Sequence, residues 1–133
     1  MTKAQALLAD LEKAYARLKE TVGLPSTLIN QDATIQRFEF CFELSWKLMQ
    51  AILMENGIEA YGPKNSIRES AKLGLIDNPL EWFEFLKARN LTVHTYEEKV
   101  AQEVYKKAKD FVKVLKNFVE NVKEYKIKTQ DIT

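Results

Sequence analysis

Apolar residues recur at three- and four-residue steps along most of the chain, and no stretch alternates with the period of a strand. Leu7, Leu11, Tyr15, Leu18 and Val22 form the first such stripe, the signature of an amphipathic helix. Thr2 and Gln5 stand at capping-box spacing ahead of it, and Gly23 fits its stop. After GLPST, a second helix is expected from near Asn30 to about Asn56, closed by Gly57. Ile35, Phe38, Phe42, Trp46, Met49 and Leu53 make one apolar stripe there, and Phe40, Leu44, Leu48 and Ala51 cover much of the remainder. A helix apolar over most of its circumference is buried on more than one side, either at the centre of a bundle or at a subunit contact. Gln36, Glu39, Glu43, Lys47 and Gln50 follow one another as a narrow polar stripe. Glu43 and Lys47 have the favourable i,i+4 order, so the stripe reads as a solvated face with one helical ion pair or as the lining of a cleft.

In YGPKNSIRESAKLGLI, Ser66 and Glu69 have capping-box spacing and Gly74 fits a C-terminal stop, which predicts a short third helix. Asn78, Pro79 and Glu81 supply an N-cap, a first-turn proline and a first-turn acid, opening a fourth helix through WFEFLKAR. Val100, Val104, Ala108, Phe111, Leu115, Phe118 and Val122 form a near-heptad seam. Thr95 and Glu98 again have capping-box spacing, which predicts Thr95 at the N-cap, Tyr96 at the first helical position, and a fifth helix over residues 96 to 125. The tail KIKTQDIT is expected to fray. The expected fold is all-α, an antiparallel up-and-down bundle of three long and two short helices in a single domain over residues 1 to 133.

Composition agrees, since 4 glycines and 3 prolines in 133 residues are few for a turn-rich β protein. No stretch approaches the roughly 20 apolar residues of a membrane span, and no signal-peptide pattern is visible. The single cysteine, Cys41, lies in the apolar run RFEFCFELSW without a CxxC or Cys/His partner. It reads as a buried structural thiol, and a reducing, cytoplasmic location is expected. Net charge is +1, which does not mark the whole molecule as a polyanion binder. Lysines are nonetheless dense between Lys106 and Lys128, which reads either as a solvated helix face or as an RNA track.

The chain's only histidine, His94, lies in RNLTVHTYEE. On one continuous helix, residues five apart diverge by about 140°, so Arg89 and His94 would not converge. Across a helix junction they can. A helix N-terminus with free N–H groups and an arginine nearby suits a phosphate. Arginine beside histidine also suits metal-independent cleavage of RNA, in which the 2′-hydroxyl attacks the adjacent phosphorus. That reaction needs both a base and an acid, and two chains about a twofold axis could supply two Arg-His pairs. The plainer reading is a helix-helix junction whose histidine and tyrosine merely neighbour a cap.

Arg89 to Tyr96 matches R-x4-H-x-Y, and this motif resembles the signature of the HEPN superfamily, in its nucleotidyltransferase substrate-binding protein branch. RFEFCFELSWKLM, YGPKNSIRESAKLGLI and the order of the five helices extend the resemblance over nearly the whole chain. The resemblance implies a homodimeric helical bundle, without a cofactor, paired with a minimal nucleotidyltransferase. It also implies a ribonuclease toxin acting on RNA, silenced when its partner transfers AMP to the motif tyrosine. By position, Arg89 would hold the scissile phosphate with Asn90 supporting the site, His94 would transfer the proton, and Tyr96 would accept AMP. The alternative is a non-catalytic subunit that presents a nucleotide or another substrate to the nucleotidyltransferase.

Overall fold

The structure, a computed structural model, describes the backbone of residues 1 to 132 and side chains as far as Tyr125. The backbone stays helical to Ile132, so the last helix runs past the expected end at residue 125, and the tail KIKTQDIT continues it up to that point instead of fraying. Five helices follow in order: α1 (Lys3–Val22), α2 (Leu28–Glu55), α3 (Gly62–Leu73), α4 (Pro79–Asn90) and α5 (Glu98–Ile132), with a 3-10 turn at Leu91–His94 between the last two.

Most boundaries follow local chemistry. Thr2 and Gln5 form the reciprocal capping box expected for α1, which satisfies two backbone N–H groups that the helix leaves without partners. α2 starts two residues earlier than expected, because Thr27 caps it and its hydroxyl accepts from Asn30 N at 3.2 Å. Asn78 caps α4 through Leu80 N and Glu81 N, with Pro79 in the first turn. Gly74 ends α3 at φ 84°, a left-handed conformation that glycine adopts without a Cβ clash.

The expected Ser66–Glu69 capping box does not form. α3 begins at Gly62 with Pro63 in its first turn, so Ser66 lies inside the helix, where its hydroxyl donates to Gly62 O at 2.7 Å. The i to i+3 spacing of a capping box also occurs inside any helix, and the proline was the better marker of the start.

α2 is the central helix and packs against α1, α3, α4 and α5. Its wide apolar surface is therefore used within the bundle. Phe38 and Phe42 of α2 meet Trp82 and Phe85 of α4 and Phe111 and Phe118 of α5, with ring centroids 4.8 to 6.4 Å apart. Edge-to-face pairs of this kind add about 0.5–1.5 kcal/mol each beyond the area they bury. The α5 seam is buried from Val104 to Val122 as its spacing predicts, with Val100 at its half-buried edge. Among the described residues, no helix is long and apolar enough to cross a membrane. The cluster has a functional consequence, because it fixes the end of α4 against the middle of α2.

Candidate functional site

The segment between α4 and α5 is built differently from the expected cap. Thr92 Oγ1 donates to Arg89 O at 2.8 Å, and Thr95 Oγ1 donates to Thr92 O at 3.0 Å. Both hydroxyls thus fasten the 3-10 turn onto the end of α4. Thr95 has helical backbone angles, φ −72° and ψ −2°, whereas an N-cap needs an extended backbone. It does not cap α5. The helix starts instead at Glu98, with Ala101 N donating to Glu97 O at 3.0 Å. Tyr96 consequently sits in the bend before α5 and is 79% exposed. Glu97 and Glu98 stand at the helix start. Two carboxylates there favour the positive end of the helix themselves and oppose a phosphate at that point.

Arg89 lies one residue before the end of α4. Its guanidinium is held on three sides. Nε and one terminal nitrogen pair with Glu43 Oε1 of α2, and the other terminal nitrogen donates to Asn90 Oδ1 at 2.8 Å. The guanidinium carbon also lies 5.9 Å from the centroid of the Phe42 ring, at the edge of the aromatic cluster. Glu43 uses its second oxygen to accept from Trp46 Nε1 at 3.1 Å. The arginine side chain is 26% exposed and the glutamate 31%. Of the five N–H bonds of a guanidinium, two remain for a phosphate.

Glu43 is the site residue that the sequence did not disclose. Its expected helical ion pair with Lys47 is replaced by a pair with Arg89, 46 residues away. Lys47 instead lies 6.0 Å from the Trp46 ring centroid. The first three members of the polar stripe, Gln36, Glu39 and Glu43, therefore face the junction. Asp32, Gln36 and Glu39 of α2, with Thr92, Thr95 and Tyr96, line a shallow depression of about 430 Å³.

His94 ends the 3-10 turn and is exposed, with its ring edge-to-face with Tyr96 at a centroid distance of 6.2 Å. The structure thus joins Arg89 with Asn90 and Glu43, and His94 with Tyr96. Among the described residues, no hydrogen bond or ring contact links the two groups within one chain. Cys41, on the buried side of α2, is a free thiol whose pKa burial pushes up to about 12, against a smaller opposing pull from Arg37. It is inert at neutral pH, as a structural role requires.

Comparison with known proteins bears on the family and the fold. The sequence pattern of the family described as "Nucleotidyltransferase substrate binding protein like" matches residues 6–124. A Haemophilus influenzae protein named "Probable ribonuclease HepT" is 40% identical over 83 residues, which cover 59% of this chain and 57% of that relative. The chain thus spans little more than half the length of that curated relative. A crystal structure from Thermus thermophilus superposes with a TM-score of 0.78 at 36% identity, covering 83% of this chain and 96% of that one. A Haemophilus influenzae structure, described as revealing the fold of a substrate-binding domain of a nucleotidyltransferase, gives 0.78 at 32% identity over 87% and 98% of the two chains. The chain belongs to the nucleotidyltransferase substrate binding protein-like family, in the HEPN branch that its R-x4-H-x-Y motif had suggested.

Proposed function

We propose that this protein is a metal-independent, RNA-cleaving toxin whose active site is the α4–α5 junction, paired in the cytoplasm with a minimal nucleotidyltransferase. The observation that carries the proposal is Arg89, whose guanidinium is anchored by Glu43 and Asn90 with N–H bonds to spare, five residues ahead of an exposed His94 in the same junction. An anchored guanidinium binds phosphate without first losing side-chain freedom. In the reaction, Arg89 holds the scissile phosphate while the adjacent 2′-oxygen bonds to phosphorus and the bond to the 5′-oxygen breaks. The products are a 2′,3′-cyclic phosphate and a 5′-hydroxyl. One histidine takes the 2′ proton and a second gives a proton to the leaving oxygen. Because each chain holds a single histidine, the second comes from a twofold-related copy, and the active unit is a homodimer.

Tyr96 is the regulatory residue. Its exposure leaves the phenolic oxygen free to attack the α-phosphorus of ATP on the partner enzyme, releasing pyrophosphate. The AMP so attached adds bulk and negative charge next to His94 and excludes RNA. The reading is tested by incubating RNA with the purified protein in a chelator. Cleavage is expected, together with its loss in His94→Ala. Equal cleavage by wild type and His94→Ala overturns the assignment.

A second reading is favoured by the description of the Haemophilus influenzae structure as a substrate-binding domain of a nucleotidyltransferase. In it the protein presents a nucleotide to its partner and cuts nothing. Nucleotide binding without RNA cleavage would select this reading.

A further inference from the structure

The junction does not attract RNA by its own charge. Glu43 neutralises Arg89, Asp32 and Glu39 border Tyr96, and Glu97 and Glu98 follow it. A ribonuclease site of this kind needs cations elsewhere, close enough to hold the strand. They occur on α5.

Lys99, Lys106, Lys109, Lys113 and Lys116 are all exposed. At 3.6 residues per turn they fall within an arc of about 100° on one face of the helix, with Glu103 and Asp110 along one edge of that arc. The stripe begins three residues after Tyr96 and ends before Glu120, a length of roughly 25 Å at 1.5 Å per residue. Among the described residues the ion pairs are Lys72–Glu69, Arg89–Glu43 and Lys123–Glu12. None of the five stripe lysines takes part in one. A solvated face of an ordinary helix is laced with carboxylates that pair with its lysines, whereas these five make no such pair, although Glu103 and Asp110 flank the row and Asp77 and Glu81 line a groove with Lys109 and Lys113.

The row also has a concave floor. A groove of about 610 Å³ runs between the start of α2 and α5, with Lys99, Lys106, Lys109 and one acid, Glu103, on one wall and Ser26 and Gln31 on the other. Gln102 donates to Gln31 Oε1 at 2.8 Å, and the Ser26 and Tyr105 hydroxyls share a hydrogen bond of 2.9 Å across it. Polar groups between cations suit a ribose-phosphate chain better than an apolar partner surface.

We infer that the lysine stripe of α5 is a single-stranded RNA track that carries the substrate away from the Arg89–His94 junction. This rests on the ribonuclease reading for what happens at the junction, but the track is a separate property. At about 3.4 Å per stacked nucleotide, the stripe accommodates roughly seven nucleotides. Five phosphate contacts contribute about 3.5 to the slope of log affinity against log salt, at about 0.7 per contact for a single strand.

The test measures binding of labelled RNAs of about four and about twelve nucleotides by the full chain, with His94→Ala as background so that the probe stays intact. In that background the triple substitution Lys106→Ala, Lys109→Ala and Lys113→Ala is compared with a control triple on α1 and α3, Lys3→Ala, Lys19→Ala and Lys64→Ala. The stripe triple is expected to lower the salt slope by about 2 and to abolish the affinity gained with the longer RNA. With His94 intact, it should slow cleavage of the longer RNA more than that of the short one. Wild-type binding by the stripe triple, or an equal loss in the control triple, overturns the track while leaving the ribonuclease reading standing. Retained RNA binding with lost capture of the partner nucleotidyltransferase also overturns it, since the stripe is then a protein-docking surface. Lysine-dependent binding by a His94-containing protein that cuts no RNA supports the track and refutes the ribonuclease reading.

Discussion

Glu43→Ala is the perturbation that separates an anchored arginine from an incidental one. It removes both contacts from Glu43 Oε1 to Arg89 and the acceptor of the Trp46 indole. An exposed ion pair is worth about 0–1 kcal/mol, and breaking a buried one costs about 3–5 kcal/mol. With 26% and 31% of the two side chains exposed, water screens this pair partly, and a loss of about 2 kcal/mol follows. For a domain of this size that lowers Tm by roughly 8 °C, read by circular dichroism. The functional effect is larger than the stability effect, because a displacement of about 1 Å in a group that positions a reacting phosphate costs about 100-fold in rate. Single-turnover cleavage with saturating RNA should therefore fall about 100-fold, while Glu43→Gln, which keeps one acceptor oxygen, falls less. A Glu43→Ala protein that melts within about 2 °C of wild type and cleaves at the wild-type rate refutes the reasoning. Faster cleavage would mean that Glu43 competes with phosphate instead of positioning the arginine.

Four further outcomes follow from the packing. Phe111→Ala removes the ring that contacts Phe38, Phe42, Trp82 and Phe85, and urea unfolding should show a loss of about 3–5 kcal/mol. Gly74→Ala should cost about 1–2 kcal/mol through its left-handed backbone alone, because an added Cβ there meets nothing within 4 Å. Gly23→Ala, at φ −78°, should be neutral or stabilising by up to about 1 kcal/mol in the same measurement. Cys41, with its thiol pushed up to about 12 by burial, should resist a soluble alkylating reagent in the native state and react once the chain is unfolded, as followed by mass.

The helices were legible because their signals are local. The reciprocal box of Thr2 and Gln5, the Asn78-Pro79 start, the Gly74 stop and the α5 seam depend on residues within a turn or two of each other. The two misread starts share a cause. Ser66 and Thr95 each precede a glutamate by three residues, yet both hydroxyls donate to backbone carbonyls inside a turn already under way. Spacing cannot distinguish a hydroxyl that opens a helix from one that lies within it. The candidate site was legible as a motif, since Arg89, Asn90, His94 and Tyr96 fall together in sequence. Its anchor was not. Glu43 lies on another helix, and only the packing of α4 across α2 through Phe42 and Trp82 brings it to Arg89. Arg89 and His94 were expected to converge across the junction, and within one chain each instead takes a separate partner. A shared cleft between two copies would restore that convergence.

The central claim is that the junction cleaves RNA by attack of the 2′-hydroxyl, and the chemistry of the new ends tests it most directly. RNA incubated with wild-type protein in excess chelator, then analysed by mass spectrometry, should carry 2′,3′-cyclic phosphate and 5′-hydroxyl ends, with a 2′-deoxy substitution at the cut site blocking the cut. Ends bearing 5′-phosphate, cleavage that appears only when a divalent metal is restored, or intact RNA would contradict the account.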